Sequence, residues 1–280
     1  MDTELLIRRA AMTRAVRAFF DSRGFVEVET PVRIAAPAPE PHIDCPPVAT
    51  GGFLRASPEL QMKKLLAAGM DRIYQIGPCF RDGEKGSRHN PEFSMLEWYR
   101  RDATYLDIKE DLCALLRDLG LLAEGERPQT LTVRDACRSH AGRDPWEEPW
   151  DQDRFDFDMA VKIEPALKAM DGVFLTDYPP QCASLAVVSR GVAERWEFYW
   201  RGLELANCFT ELCDSAEQAR RFAEAKEERR ALGEADYPLD MDFLARVGDM
   251  RSAAGVALGM DRLTMALFGA QDIAATRAGE

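Results

Sequence analysis

Phe80-Arg81, a polar loop, then His89-Asn90-Pro91-Glu92-Phe93-Ser94-Met95-Leu96-Glu97-Trp98-Tyr99 is the stretch that decides how this chain reads. An arginine closes a predicted strand over Ile73 to Arg81, and a second strand runs from Glu92 to Arg100. Side chains alternate across a strand, so Phe93, Met95, Glu97 and Tyr99 share one side of the sheet. That side offers a ring to stack on a base, a carboxylate and a phenol for a polar ligand, and an arginine for phosphate. In outline this is a nucleotide-plus-cation site. Loop composition alone also fits a plain charged hairpin at Arg81-Asp82-Gly83-Glu84.

Upstream, Leu5 to Arg23 carries apolar residues at helical spacing, with Gly24 as a stop. Phe25-Val26-Glu27-Val28-Glu29-Thr30-Pro31 alternates as a short strand ended by proline. Residues 34 to 52, rich in Pro, Ala and Gly, form an irregular connection. Ser57-Pro58-Glu59 opens a helix with a serine cap, a proline in the first turn and an early acid, and Gly69 closes it. Downstream, Tyr105 to Leu119 and the charged segment Ala216 to Leu232 are predicted helices, and Val173 to Tyr178 is a strand. Arg195 to Glu211 reads as a hairpin turning at Arg201-Gly202. Gly255-Val256-Ala257-Leu258-Gly259 begins a last segment that continues as a helix through Asp261-Arg262-Leu263 to Phe268. Residues 121 to 160 carry no clear periodicity. Hairpins and helices without a βαβ rhythm give an α+β fold around an antiparallel sheet. No repeat or low-complexity linker divides the 280 residues, so one domain is expected.

A hydrophobic content of 46% supports a substantial core, and a net charge of −12 with no long basic run argues against general nucleic-acid binding. Met1-Asp2-Thr3-Glu4 does not begin a signal peptide, and no apolar run approaches a membrane span. Seven scattered cysteines do not form a disulfide framework, and Cys208 and Cys213 lack a second pair to complete a zinc site. A cytoplasmic location is expected.

Two carboxylates stand out. With a two-residue turn at Arg201-Gly202, residue 199 faces 204 and Glu197 lies diagonally on the same face as Glu204. Such a pair repels unless a divalent cation or a basic partner neutralises it, and magnesium is content with few carboxylates. The spacing equally fits two acids on a solvated sheet face. Glu204, Asn207 and Glu211 would share one face of a helix, but their surroundings look extended. Small residues at 255, 257 and 259 permit close approach of a ligand, or simply tight packing. Histidine occurs only at 42, 89 and 140, and no serine or cysteine nucleophile motif accompanies it; His42 and His140 read as surface or turn residues.

Taken in order, these elements resemble the three motifs of class II aminoacyl-tRNA synthetases. The helix with Phe25 to Pro31 is similar to motif 1, Phe80-Arg81 to Tyr99 to motif 2, and Gly255 to Leu263 to motif 3. His89-Asn90-Pro91-Glu92-Phe93 with Met95-Leu96-Glu97-Trp98-Tyr99 points to the lysine branch. Ser57-Pro58-Glu59-Leu60, Ala183-Ser184-Leu185-Ala186, Glu204-Leu205-Ala206-Asn207 and Gly255-Val256-Ala257-Leu258-Gly259 fit most closely the elongation factor P–lysine ligase family. That family is a paralogue of lysyl-tRNA synthetase without the anticodon-binding domain. With residue 1 near the start of the catalytic domain, and no long tail after motif 3, no nucleic-acid-binding barrel is expected here. Residues 121 to 160 would be a variable connecting region.

The resemblance implies ATP and Mg²⁺, lysine or (R)-β-lysine, an aminoacyl-adenylate intermediate, and elongation factor P as acceptor. It also implies a homodimer, with neither tRNA nor membrane as a partner. It places Arg81 on the α-phosphate and Arg262 on the terminal phosphates as the catalytic pair. Phe93 stacks on adenine, with His89 and Asn90 nearby and Asp82, Gly83, Glu204, Leu205 and Gly259 completing the ATP site. Glu197 and Glu204 hold the metal. Glu59, Glu97, Glu211 and Tyr99 meet the ammonium groups, Asn207 orients the carboxylate, and Ser57, Pro58 and Ala257 complete the substrate side. A buried acid facing an ammonium rejects amino acids that lack one. Ala206 and Ala257 stand where lysyl-tRNA synthetases carry glycine, so their methyl groups are expected to reshape the pocket toward the β-isomer. Gly83 replaces the usual motif 2 glutamate, with Glu84 next to it; Cys208 replaces a glycine; and Thr210 replaces a histidine. The alternatives are a free-standing class II ligase that charges tRNA or a small amine, and an inactive synthetase-like regulatory subunit.

Overall fold

The computed structural model describes residues 2–279. Helix α1 (Thr3–Asp21) starts where the Asp2 carboxylate accepts the Leu5 N–H at 3.0 Å. Strand β1 covers only Val26–Glu27, although the alternation runs to Thr30. The ladder stops early because the Gln75 side-chain oxygen accepts both the Thr30 N–H and its hydroxyl, at 3.1 and 2.9 Å. Two short strands, β2 (Arg33–Ile34) and β3 (Phe53–Leu54), pair across the proline-rich connection. Helix α2 (Glu59–Ala67) comes after them, with Pro58 at the flanking position rather than inside the first turn. Ser57 Oγ still accepts the Glu59 N–H at 2.9 Å.

The hairpin β4 (Arg72–Phe80) and β5 (Glu92–Arg101) leads into α3 (Tyr105–Asp118), which is opened by a Thr104/Asp107 capping box. Residues 121 to 160, opaque in sequence, contribute β6 (Gln129–Thr132), α4 (Val133–Ala136) and α5 (Gln152–Asp158); α6 (Glu164–Leu167) comes next. These short pieces share a core of Val133, Ala136, Phe155, Ile163 and Leu167 with the sheet residues Val173 and Leu175. Then come β7 (Val173–Tyr178), β8 (Val188–Ser189), β9 (Val192–Trp200), β10 (Leu203–Thr210), α7 (Ser215–Leu232), α8 (Met241–Arg246), β11 (Ala253–Gly259) and α9 (Met260–Phe268).

The strands make one nine-stranded sheet in the order β1-β4-β5-β11-β10-β9-β7-β6, with β8 on β9. Its middle is antiparallel, as expected; the edge pairs β1·β4 and β6·β7 are parallel, so the sheet is mixed. One face is covered by α1, α3 and α9 through Val16, Phe20, Trp98, Leu112, Trp196, Val256 and Leu263. The opposite face carries the polar side chains. Alternation along β5 sends Leu96 and Trp98 to the core and leaves Phe93, Met95, Glu97 and Tyr99 on the polar side.

Arg201 (φ 48°) and Gly202 (φ 72°) form the predicted two-residue turn, with both residues left-handed as the twist of a tight hairpin requires. Glu204 then faces Tyr199, as the spacing predicts. A bulge between Glu204 and Ala206 resets the register, so Asn207 faces Glu197. Leu205 and Ala206 both enter the helix-side core. The bulge is how Glu204, Asn207 and Glu211 share one face in an extended segment; the helical alternative is excluded.

Candidate active site

A cavity of about 440 Å³ opens on the polar face of β5, β11, β10 and β9. It is lined by Ser57, Glu59, Arg81, His89, Asn90, Phe93, Glu97, Tyr99, Glu197, Glu204, Leu205, Asn207, Glu211, Ala257, Gly259 and Arg262, all expected from sequence. Three expected residues fall outside it. Pro58 only starts α2. Asp82 donates its N–H to the Asp44 carbonyl at 2.9 Å and ties two loops together. Gly83 makes the turn at φ +77°, whereas Glu84 lines the cavity. The expectation for Ala206 also fails: its methyl lies in the opposite core, so only Ala257, paired with Glu97 on β5 and Asn207 on β10, can shape the pocket.

One end is cationic and aromatic. The Arg81 guanidinium sits 5.1 Å from the Phe93 ring centroid and 3.5 Å from Glu84. Its Nε is buried without a hydrogen-bond partner among the described residues, a donor left for a ligand oxygen. Arg262, in the first turn of α9, donates to the Glu204 carbonyl (3.0 Å) and carboxylate (3.2 Å) and to the Arg88 carbonyl (3.2 Å), and lies 2.6 Å from His89 Nε2. Burial, with the nearby Arg262 charge, lowers the His89 pKa, so the ring is neutral at physiological pH. Asp261 fixes this end: its carboxylate accepts the Ser94 N–H at 2.7 Å and is paired with Arg9 of α1.

The other end is a buried acidic floor. Glu97, fully buried, accepts from Ser57 Oγ at 2.6 Å and from the Tyr99 hydroxyl at 2.8 Å. Burial, reinforced by Glu59, pushes its carboxyl up to about 7. Burial also raises Glu211 to about 8, with Glu59 and Glu97 adding to the effect against the pull of Lys63. Lys63 was not foreseen. Its ammonium, 1% exposed, lies 2.6 Å from Glu59 and 2.5 Å from Glu211. The sequence signal was there: Lys63 is four residues after Glu59, on the same face of α2.

Between the ends, Glu197 accepts from Arg195 (2.5 Å) and from the hydroxyls of Tyr178 and Tyr199 (2.6 Å each). Arg195 also donates to Asn207 Oδ1 at 3.2 Å, leaving the amide nitrogen as the group to meet a carboxylate. Arg195 was missed as well, although strand alternation places 195, 197 and 199 on one face. Removal from water and the Glu197 charge raise the Glu204 pKa. Both acids therefore have basic partners, Arg195 and Arg262. Among the described residues no group of three or more His, Cys, Asp or Glu is arranged to hold a metal. A divalent ion here would take most of its ligands from phosphate and water, as magnesium does.

An ammonium needs ionised carboxylates, so kcat/KM for a diamino acid is expected to fall as pH drops through about 8 to 7, where Glu211 and Glu97 take up protons. A profile flat from pH 9 to 6 would refute that role. A Cβ on Gly255 would collide with the Tyr99 ring. Gly255→Ala is thus expected to swing the phenol off Glu97 and raise KM for the amino acid about tenfold, a loss of about 1.4 kcal/mol, with KM for the nucleotide unchanged. Parallel losses for both ligands would show general collapse instead.

The tRNA synthetases class II (D, K and N) family model matches residues 2–278. The elongation factor P–(R)-β-lysine ligase of Edwardsiella ictaluri is 36% identical over 300 positions, covering 95% of this chain and 91% of its own. Those of Yersinia enterocolitica and Vibrio cholerae are each 35% identical over 302 positions, covering 96% and 92%. The chain belongs to the class II tRNA synthetase family and, within it, to the elongation factor P–(R)-β-lysine ligases.

Proposed function

We propose that this protein uses ATP to activate lysine or (R)-β-lysine as an aminoacyl-adenylate and transfers it to a lysine side chain of elongation factor P. One observation supports the reading: a cationic, aromatic end, suited to phosphate and a base, and a largely buried acidic floor, suited to ammonium groups, meet in one cavity. In this reading Arg81 holds the α-phosphate as the substrate carboxylate attacks, and Arg262 holds the terminal phosphates. Phe93 stacks on adenine, with His89 and Asn90 beside it. Glu84 takes the place beside the base left by Gly83.

Asn207, oriented by Arg195, turns the substrate carboxylate toward phosphorus. Glu97 with Tyr99 and Ser57, and Glu59 with Glu211 and Lys63, receive the two ammonium groups. The floor's three carboxylates and one lysine match a doubly cationic amino acid; one with a single ammonium leaves a buried acid without a counter-charge. Magnesium bound with ATP would be held by Glu204 and Glu197 and would offset phosphate charge. Transfer then rests on positioning of the incoming amine. The whole chain acts as one catalytic domain, with residues 121 to 160 as its connecting region, and works in the cytoplasm. It works as a homodimer through α1 and β1, where Ile7 and Val26 stand 69% and 51% exposed. Among the described residues no helix is long and apolar enough to cross a membrane.

Intact mass spectrometry of elongation factor P after incubation with enzyme, ATP, Mg²⁺ and (R)-β-lysine tests the reading. A gain of one β-lysyl group on the acceptor is expected; an aminoacylated tRNA with unmodified elongation factor P would replace it with the tRNA-charging alternative. Ala257→Gly is expected to narrow the preference for β-lysine over α-lysine in pyrophosphate exchange, and an unchanged ratio removes that role for the methyl group.

A further inference from the structure

A second groove of about 640 Å³ adjoins the catalytic cavity and shares Glu40, Arg195 and Glu197 with it. Its walls are the loop at residues 39–42, α5 with Glu164, α7, and the segment from Tyr178 to Leu185. We infer that this groove is where the protein acceptor docks, as an extended lysine-bearing loop with basic flanks, its terminal amine reaching the cavity past Glu40. The inference rests on the proposed two-step reaction.

Three observations converge. The groove joins the cavity at Glu40, Arg195 and Glu197, midway between its ends, and shares none of Arg81, Arg88, His89 or Arg262 with it, so a nucleotide held on those residues leaves this entry open. Six acids and three arginines line it. Each arginine is already neutralised: Arg195 by Glu197, Arg220 by Glu217 and Glu224, and Arg221 by Glu217. Asp156 on α5 and Glu228 on α7 both line the groove and are exposed. Acids on two of its walls with an overall negative excess attract a cationic segment and repel a phosphate backbone, which sets a protein loop above a tRNA end. The third is the inner end: the acids Glu40 and Glu197 line both the groove and the catalytic cavity, and Glu164 of the groove feels the charges of Glu197 and Glu204.

The test reverses both walls at once with Asp156→Lys/Glu228→Lys, beside Glu124→Lys, an exposed acid outside the groove, as control. Amino acid-dependent pyrophosphate exchange reads the first step, single-turnover transfer to elongation factor P reads the second, and calorimetric binding of elongation factor P without ATP reads docking alone. The double variant is expected to keep exchange within about twofold of the parent while its KM and Kd for the acceptor rise at least about tenfold; the control changes none of them. The milder Asp156→Asn/Glu228→Gln should fall between, guarding against a folding defect. Acceptor binding and transfer equal to the parent's would overturn the inference, as would equal losses in exchange and transfer. A parent enzyme that binds the acceptor but never exchanges pyrophosphate would sink the catalytic reading instead, while the binding comparison still decides the docking site.

Discussion

Lys63→Met is expected to lower folding stability by about 3–5 kcal/mol near pH 8.5 and to abolish lysine-dependent exchange at neutral pH. The ammonium is fully enclosed and touches two carboxylates, Glu211, which is itself buried, and Glu59, which is largely so. Removing it leaves the buried Glu211 beside Glu59 with no cation between them. Breaking a buried pair costs far more than the pair contributes, because the remaining charge keeps its desolvation penalty. The deficit has a definite pH dependence. Glu211 already holds its proton to about 8, above the unfolded carboxyl range. Without Lys63 it holds that proton more firmly, so the folded variant binds more protons than its unfolded chain. Stability of the variant therefore falls as pH rises through that range and recovers toward pH 5.

Denaturant unfolding of parent and variant at pH 5 and 8.5 measures this directly. Equal stability at both pH values would show that Lys63 does not hold the floor together. Lys63→Arg keeps the charge and should regain part of the stability while still raising KM, since a planar fork cannot meet both acids as a compact ammonium does.

Arg81→Ala is expected to reduce the rate of pyrophosphate exchange about 10²–10³-fold, the usual loss when one preorganised donor to a developing charge is removed. The fold does not depend on this side chain: its ion pair is a 3.5 Å contact with Glu84, and its ring neighbour Phe93 remains packed. Thermal stability should therefore match the parent's, which separates this variant from Lys63→Met. Because Arg81 would act on a charge that grows toward the transition state, kcat falls more than KM rises. Arg81→Lys, with its point charge in place of a planar fork, should recover only a fraction of the rate. A variant that exchanges at the parent's rate would remove Arg81 from the catalytic pair and place the phosphates elsewhere.

Much of the site was legible because β-strands announce which side chains share a face. Phe93, Met95, Glu97 and Tyr99 came from alternation alone, and the Arg201-Gly202 turn fixed the facing of Tyr199 and Glu204. The same rule cannot place the residues after Glu204, because a bulge is invisible to it, and the expectation for Ala206, taken from the resemblance, failed there. One extra residue at the bulge keeps Ala206 out of the pocket and brings Asn207 opposite Glu197. Lys63 and Arg195 carried signals of spacing, Glu59 four residues before one and Glu197 two after the other, but a second partner of each, Glu211 and Asn207, is met only when the chain folds. Residues 121 to 160 were opaque because their helices are only 4 and 7 residues long and are held by a shared core rather than by periodicity.

By itself the sequence determined the α+β fold, the order of its strands and helices in the chain, and the residue types at both ends of the cavity, because periodicity and turn chemistry are local. Only the tertiary structure decided which acids are neutralised, by which cations, and which small residue faces the ligand. Those outcomes depend on burial and on charges meeting across strands and helices, and in a low-dielectric interior such meetings set both the protonation of a group and its capacity to bind.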